Sequence, residues 1–436
     1  MSSRIRTIAL FAIMALLLVL VGLFQSWTLS LTIINLCLIS AIMALGVNIQ
    51  WGYAGLFNIG IMGFAALGGL AAVLVSVPPV PGAWEVGGAG MGLALLAFVA
   101  TVIFVVVARN LSSGRIRTIL SFVIALGGFF LVRHFYVPAS QAIANYDAAR
   151  SGYLGGLGLP IVLSWVVGGV FAAAAAWVIG KIALGLRADY LAIATLGIAE
   201  IVIAVLKAEE WMTRGVKNVT GIPQLVPAER DLRTADWFVT LAEWLNVDPN
   251  IFVSIFVKLS YTICFALILA ALVWLSETAL KSPWGRMMRA IRDNRVAAEA
   301  MGKAVTSRHL QVFVLGSAVV GVAGAMLVTL DGQFTPNSYI PLRFTFLIWV
   351  MVIVGGSGNN WGAVLGGFLI WSVWVEVEPV GAWLVDGLAS GLNLGTGAHA
   401  YLRDAAPYMR PLLMGLVLLL TLRFNPRGLI PERRFS

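Results

Sequence analysis

The chain has 436 residues, of which 60% are hydrophobic and 11% charged, with a formal net charge of +9. A soluble globular chain averages roughly 45–50% apolar and about 25% charged residues, so the composition excludes a large soluble domain and points to a membrane-embedded chain. The two cysteines, Cys37 and Cys264, are too few for a disulfide framework or a CxxC pair and lie in apolar runs, where they read as packing residues.

Backbone groups in hydrocarbon need partners within the protein, which leaves helices or a closed barrel. The apolar runs are continuous rather than alternating, which selects helices. In chain order, spans are expected at residues 8–24, 31–47, 56–75, 91–108, 118–132, 160–180, 189–206, 252–275, 309–330, 344–356, 361–375 and 409–422. The first follows Arg4 and Arg6 as a signal peptide would. It is followed by Gln25, Ser26 and Trp27 rather than a small-x-small cleavage site, and reads as an uncleaved span. The stretch 50–70 admits a broken helix, and 344–356 with 361–375 form either a re-entrant pair or two full spans. The expected fold is all-α: a polytopic transmembrane helical bundle of about 10–12 spans with broken or re-entrant helices, in one domain covering 1–436.

Charge assigns the sides. The segment 277–308 carries Lys281, Arg286, Arg289, Arg292, Arg295, Lys303 and Arg308 against Glu277, Asp293 and Glu299. Arg109, Arg115 and Arg117 mark the turn 109–117, Lys181 and Arg187 the turn 181–188, and Arg423, Arg427, Arg433 and Arg434 the tail. The segment 207–251 has five basic and seven acidic residues. Alternating sides through twelve spans places every basic segment in the cytoplasm, with both termini, and 207–251 outside. The basic net charge follows from this bias, not from nucleic acid. The segment 376–408, with Glu376, Glu378, Asp386 and His399, is also expected outside. Trp27, Trp211 and Trp274 stand near span ends as interfacial tryptophans do, whereas Trp361 and Trp371 read as packed within the bundle. Thr220-Gly221-Ile222-Pro223 is a turn signal inside 207–251, which reads as a cap over the pore mouth, a docking surface or a connector.

The cytoplasmic segment 282–302 is the most informative. Ser282 suits a helix cap with Pro283 as first residue, and Gly302 suits a stop. Trp284, Met288, Ile291, Ala298 and Met301 recur near a 3.6-residue period, and arginines fill the other face. This predicts a short amphipathic helix pair lying across the membrane face, or a stretch that only sets topology or touches anionic lipid.

Within it, Lys281-Ser282-Pro283-Trp284-Gly285-Arg286, Ala290-Ile291-Arg292-Asp293-Asn294 and Ala297-Ala298-Glu299-Ala300-Met301-Gly302 resemble the ATPase-contacting loop of ABC importer permeases, specifically the branched-chain amino acid permeases of the LivM type. Val296 stands where that loop's signature has Glu. Gly52-Tyr53-Ala54-Gly55-Leu56-Phe57-Asn58-Ile59-Gly60 is similar to the family's G-Y-A-G-x-x-S-x-G segment, and Arg187-Ala188-Asp189-Tyr190-Leu191-Ala192-Ile193-Ala194-Thr195-Leu196 to R-G-x-Y-F-A-x-x-T-L. Thr220-Gly221, Gly355-Gly356-Ser357-Gly358 with Trp361-Gly362-Ala363, and Pro426-Arg427-Gly428-Leu429 follow in family order. The resemblance covers about 35–75 and 185–430 and is weak over 76–185. Asn58 replaces a usual serine, and Ile61-Met62-Gly63-Phe64 departs from the family pattern, which leaves the substrate open among branched-chain or other small amino acids, urea and short amides.

The resemblance implies a transport subunit, not an enzyme, in a bacterial inner membrane. It implies separate ABC ATPase subunits, a second permease chain completing a heterodimer, an extracytoplasmic solute-binding protein and a small-molecule substrate. Membrane lipid surrounds the chain, and no cofactor, metal or nucleic acid is implied. The sequence has no G-x-x-x-x-G-K-[ST] loop of its own. Arg286, Arg289, Arg292, Asp293, Glu299 and Gly302 are the expected coupling residues. Glycines cluster over 52–69 and 355–367, which marks either unwound helices at a transport site or close helix packing. Polar groups inside spans are costly and often functional, so Asn48, Tyr53, Asn58, Thr195 and Glu200 are the expected substrate-pathway residues. Asp331, at a span end, reads as interfacial.

Two rivals are weaker. Gly355-Gly356-Ser357-Gly358 matches a serine-nucleophile pattern, but His134, His309 and His399 all lie outside deep apolar runs, where a base is needed. A stand-alone secondary transporter or channel wants buried acids, and only Glu200 qualifies.

Overall fold

The computed structural model describes residues 3–391, 400–401 and 403–432; His399, Arg433 and Arg434 lie outside these. Helices α1 (Ser3–Phe24) and α2 (Trp27–Val47) open the chain, and α2 runs on into a π-helical turn, Asn48–Gly52. After a non-helical stretch come α3 (Ile61–Ser76), α4 (Pro81–Leu111), α5 (Gly114–Tyr146), α6 (Ile161–Ala183) and α7 (Ala188–Ala208). A crossing segment holds α8 (Glu210–Thr213), strand β1 (Val219–Thr220), α9 (Glu229–Thr234) and α10 (Asp236–Trp244). Then follow α11 (Pro249–Lys281), α12 (Pro283–Asp293), α13 (Arg295–Ala300), α14 (Val305–Asp331), β2 (Gln333–Phe334), α15 (Pro341–Gly355), α16 (Asn360–Gly391) and α17 (Met409–Phe424).

The chain is an all-α polytopic membrane bundle. Among the described residues, nine helices are long and apolar enough to cross a membrane. Three expected spans fall short of that length: α3, α15 and α17, with 16, 15 and 16 residues. At 1.5 Å per residue, α3 and α15 cover roughly 22–24 Å against a hydrocarbon core of about 30 Å. Short helices are tolerated where protein, not lipid, meets their ends; α3 is buried along nearly its whole length and α15 over most of its second half, Leu347–Gly355. The expected span 361–375 is the first half of α16, which runs on through Pro379.

Small residues let the inner helices touch backbone to backbone. A Cβ on Gly68 of α3 would stand 1.9 Å from the Gly321 carbonyl oxygen of α14, and one on Gly321 would stand 2.5 Å from the Gly168 carbonyl of α6. The Trp165 indole of α6 then donates to Thr329 Oγ1 of α14 at 2.9 Å, satisfying a buried N–H between the same helices.

The stretch of weak family resemblance, 76–185, takes in α6 and a hairpin, α4–α5, whose apolar side chains face outward, as lipid solvation permits. The hairpin is tied to the bundle at one end: Val80 N and Trp84 Nε1 both donate to the Leu154 carbonyl at 3.0 Å, and Tyr136 bonds Glu209. Trp361 differs from expectation. It is half exposed at the first turn of α16, edge-on to Phe11 of α1.

Overpacking a filled core costs about 1–3 kcal/mol and sometimes more. A Gly68→Leu chain is expected to lose most of its monodisperse yield in detergent and to melt several degrees lower. A Gly92→Leu chain, where nothing lies within 4 Å of the added Cβ, should match the parent in size-exclusion chromatography and thermal unfolding.

Candidate functional site

Two breaks in the helical ladder face each other near the end of the bundle that carries α12 and α13, the arginine-rich end. The first is the π turn Asn48–Gly52 with the stretch 53–60. The second is the turn 356–359 between α15 and α16, where Gly356 and Gly358 take φ values of +120° and +79° that side chains oppose. Backbone freed by each break needs partners in a buried setting, and polar side chains supply them. Asn48 Oδ1 accepts from Gly358 N at 2.8 Å, and its amide donates to Asn360 Oδ1 at 3.2 Å. Tyr53 donates to the same Asn360 oxygen at 2.7 Å, while Asn360 Nδ2 donates to Glu277 Oε1 of α11 at 3.1 Å.

A second network lies beside it. Gln50 Nε2 donates to the Phe313 carbonyl and to Ser317 Oγ of α14, both at 3.0 Å, and Gln50 Oε1 accepts from Asn58 Nδ2 at 2.8 Å. Asn58 Oδ1 accepts from Gly60 N at 2.9 Å, and Trp349 Nε1 donates to the Asn58 carbonyl at 3.1 Å. Thr195 Oγ1 of α7 accepts from Ile59 N at 3.1 Å. Trp51, Phe57 and Trp349 close the gap between the breaks, their ring centroids 4.7–5.4 Å apart.

Four of the five expected pathway residues, Asn48, Tyr53, Asn58 and Thr195, are therefore brought together, all buried. Glu200 is not among them; it lies on the exposed face of α7, away from the two networks. Sequence reasoning missed Gln50, Asn360 and Trp349. Gln50 carried the usable signal, a polar side chain just beyond an apolar run.

Above these networks, toward the opposite end of the bundle, lies a cavity of about 240 Å³. One water occupies roughly 30 Å³ in the liquid, so the cavity admits a small solute. Ile39, Met43, Met62, Leu347, Ile348 and Met351 make its body apolar. Its mouth is polar, with Asp331, Gln333 and Ser338 exposed. Two further lining groups, Thr335 Oγ1 and Trp371 Nε1, are buried without a hydrogen-bond partner among the described residues. The 209–248 segment is fastened to this mouth. Val219 and Thr220 pair antiparallel with Phe334 and Gln333, and Ile222 N donates to the Gly332 carbonyl at 3.3 Å. The expected turn follows, with Gly221 at φ +76°.

The helix pair α12–α13 forms as the periodicity predicts, with two corrections. Ser282 holds the cap position, but its hydroxyl donates back to the Ala279 carbonyl at 2.6 Å instead of capping. Met288, Ile291 and Ala298 are buried, whereas Met301 is 78% exposed. The cause is Asn294, whose Oδ1 accepts from Ala297 N at 3.0 Å and starts a new helix, breaking the stripe's phase. Gly302 ends α13 at φ +73°.

Of the expected coupling residues, Arg286 reaches the Lys281 carbonyl, Arg289 the Leu280 carbonyl, and Glu299 pairs with Arg295 at 2.9 Å. Arg292 reaches a helix break: it donates to the Gly52 carbonyl, and pairs with Glu432 at 2.9 Å and Asp293 at 3.2 Å. Partial burial works to lower its pKa, but the hydrogen bond and charge of Glu432, then those of Asp293, raise it, so it stays a cation.

A family model described as branched-chain amino acid transport system / permease component matches residues 139–422, more than half of the chain. The chain is 26% identical over 324 residues to the high-affinity branched-chain amino acid transport system permease protein LivM of Salmonella typhimurium, over 72% of this chain and 67% of that protein. The LivM protein of Escherichia coli matches with the same identity and coverage. The probable branched-chain amino acid transport permease protein LivM of Methanocaldococcus jannaschii is 26% identical over 399 residues, 90% of each chain. No solved structure matches.

Leaving buried polar groups unpaired costs about 1–3 kcal/mol each. Asn360→Leu strips partners from Asn48, Tyr53 and Glu277 at once, so thermal unfolding in detergent is expected to drop by several degrees. An unchanged midpoint would mean these bonds contribute little.

Proposed function

The chain belongs to the branched-chain amino acid permease family, and from that premise we propose that it is the membrane-spanning subunit of an ABC importer for small amino acids. Separate ATPase subunits supply the energy, a solute-binding protein delivers the substrate, and a second permease chain completes the pathway in a bacterial inner membrane. The arginine-rich end faces the cytoplasm, which accords with the positive-inside bias.

The observation that carries this reading is the position of Arg292. It sits on an amphipathic helix one and two turns after Arg289 and Arg286, and its guanidinium meets the carbonyl of Gly52 at the broken end of α2. A push on α12 from outside the membrane thus reaches one of the two helix breaks directly. In the proposed cycle the ATPases close on nucleotide and shift α12 and α13. The paired breaks at 48–60 and 356–360 separate, and the cavity opens inward. The two states differ in discrete contacts, as a switch requires.

The cavity is the solute's place in the outward-facing state. Its apolar body suits an aliphatic side chain. Asp331 at its mouth has no ion-pair partner among the described residues, which suits an ammonium group and favours amino acids over urea or short amides. The partnerless Trp371 N–H and Thr335 hydroxyl suit a carboxylate.

Liposomes holding the transporter purified with its native partner subunits, supplied with binding protein, should accumulate leucine only with ATP inside the face that binds the ATPases. Asp331→Asn should lower the maximal uptake rate several-fold. Leucine flux driven by a gradient through this chain alone would defeat the proposal in favour of a stand-alone carrier.

A further inference from the structure

After α17 the chain turns back under the arginine-rich end. Gly428, at φ +74°, lies against Gly356, so closely that a Cβ on Gly428 would stand 2.3 Å from the Gly356 Cα. The next two residues cap the end of α15: Leu429 N donates to the Val354 carbonyl and Ile430 N to the Gly355 carbonyl, both at 2.8 Å. These are carbonyls that the end of α15 leaves without helical partners. Asn359 Nδ2 then donates to the Pro431 carbonyl at 3.2 Å. The segment is therefore fastened to both sides of the second helix break, and it ends by presenting the Glu432 carboxylate to Arg292 at 2.9 Å.

Arg292 has a choice of carboxylates. Asp293 is its chain neighbour, and its side chain is 69% exposed, while Glu432 is 25% exposed and Arg292 itself 23%. Pairing with Asp293 alone would let the guanidinium turn toward solvent. Pairing with Glu432 holds it inward, where its other nitrogen reaches the Gly52 carbonyl. Charge-assisted bonds of this kind are short and directional, and are stronger in a partly buried place than on the surface. One carboxylate thus links the coupling helix, the break at Gly52 and the break at 356–359.

We propose that residues 428–432 are a working part of the coupling element, and that Glu432 is a positioning residue that aims Arg292 at the broken end of α2. This rests on the importer reading given above. When the coupling helix moves, the segment carries that motion to the α15–α16 turn while Arg292 carries it to Gly52, so both breaks open together. Fixing the segment to α15 alone would need only Leu429 and Ile430; the placement of Glu432 adds the link to α12.

The test is the number of ATP molecules hydrolysed per leucine taken up, measured with the full transporter in liposomes. Glu432→Gln removes the charge and nearly preserves the shape, and should raise that number several-fold. Glu432→Asp keeps the charge and should stay near the parent. A chain stopped after Ile430 should behave as Glu432→Gln does. An unchanged ratio in Glu432→Gln, or uptake and hydrolysis falling in step, would overturn the proposal. If the parent takes up no leucine on ATP, the importer reading falls first and this linkage with it.

Discussion

The structure depends on two interruptions of its helices satisfying one another. In hydrocarbon, irregular backbone survives only where protein supplies its hydrogen bonds. Here the stretch 53–60 and the turn 356–359 lie some 300 residues apart in sequence, yet Asn48 and Asn360 stitch them together. Each break takes partners from the other. Their pairing closes the arginine-rich end of the bundle and leaves the cavity at the other end with an apolar floor. A change that separates them must find new partners for both, which is the property of an element with two discrete states.

The surrounding architecture serves that pairing. The helices at the centre are too short to cross a bilayer and are held by glycine contacts with α6, α14 and α16 instead of lipid. Outside them, α4 and α5 make an apolar hairpin whose contacts are mostly with each other. The family match begins at Ala139, near the end of α5, so most of this hairpin precedes the matched region. A lipid-facing pair constrained mainly by hydrophobicity can change its residues freely without disturbing the two breaks.

Much of this was legible in the sequence. Apolar run length located every long helix among the described residues, because lipid demands about 20 apolar residues per span whatever the tertiary contacts. The amphipathic stripe over Trp284–Ile291 located α12, since that pattern is local. Met301 lost its place in the stripe for a local reason, the helix restart at Asn294; the other failures depend on distant partners, and Trp361 proved half exposed. The polar residues inside spans signalled importance but not partners: Asn48, Tyr53, Asn58 and Thr195 converge, whereas Glu200 points away. Glu432 gave no signal at all, because its meaning comes from a partner 140 residues earlier. The cavity was equally invisible, being assembled from α2, α3, α14, α15, α16 and the β2 segment.

In the proposed importer an external motor grips α12 and α13. Val296 and Met301 are the exposed apolar residues there, 75% and 78% accessible, and neither contributes to the core. A photo-reactive amino acid placed at either position in native membranes tests the claim directly. Illumination is expected to join this chain to a nucleotide-hydrolysing subunit on the cytoplasmic side. Capture of no such subunit, or labelling of these positions from outside the cell, would contradict it.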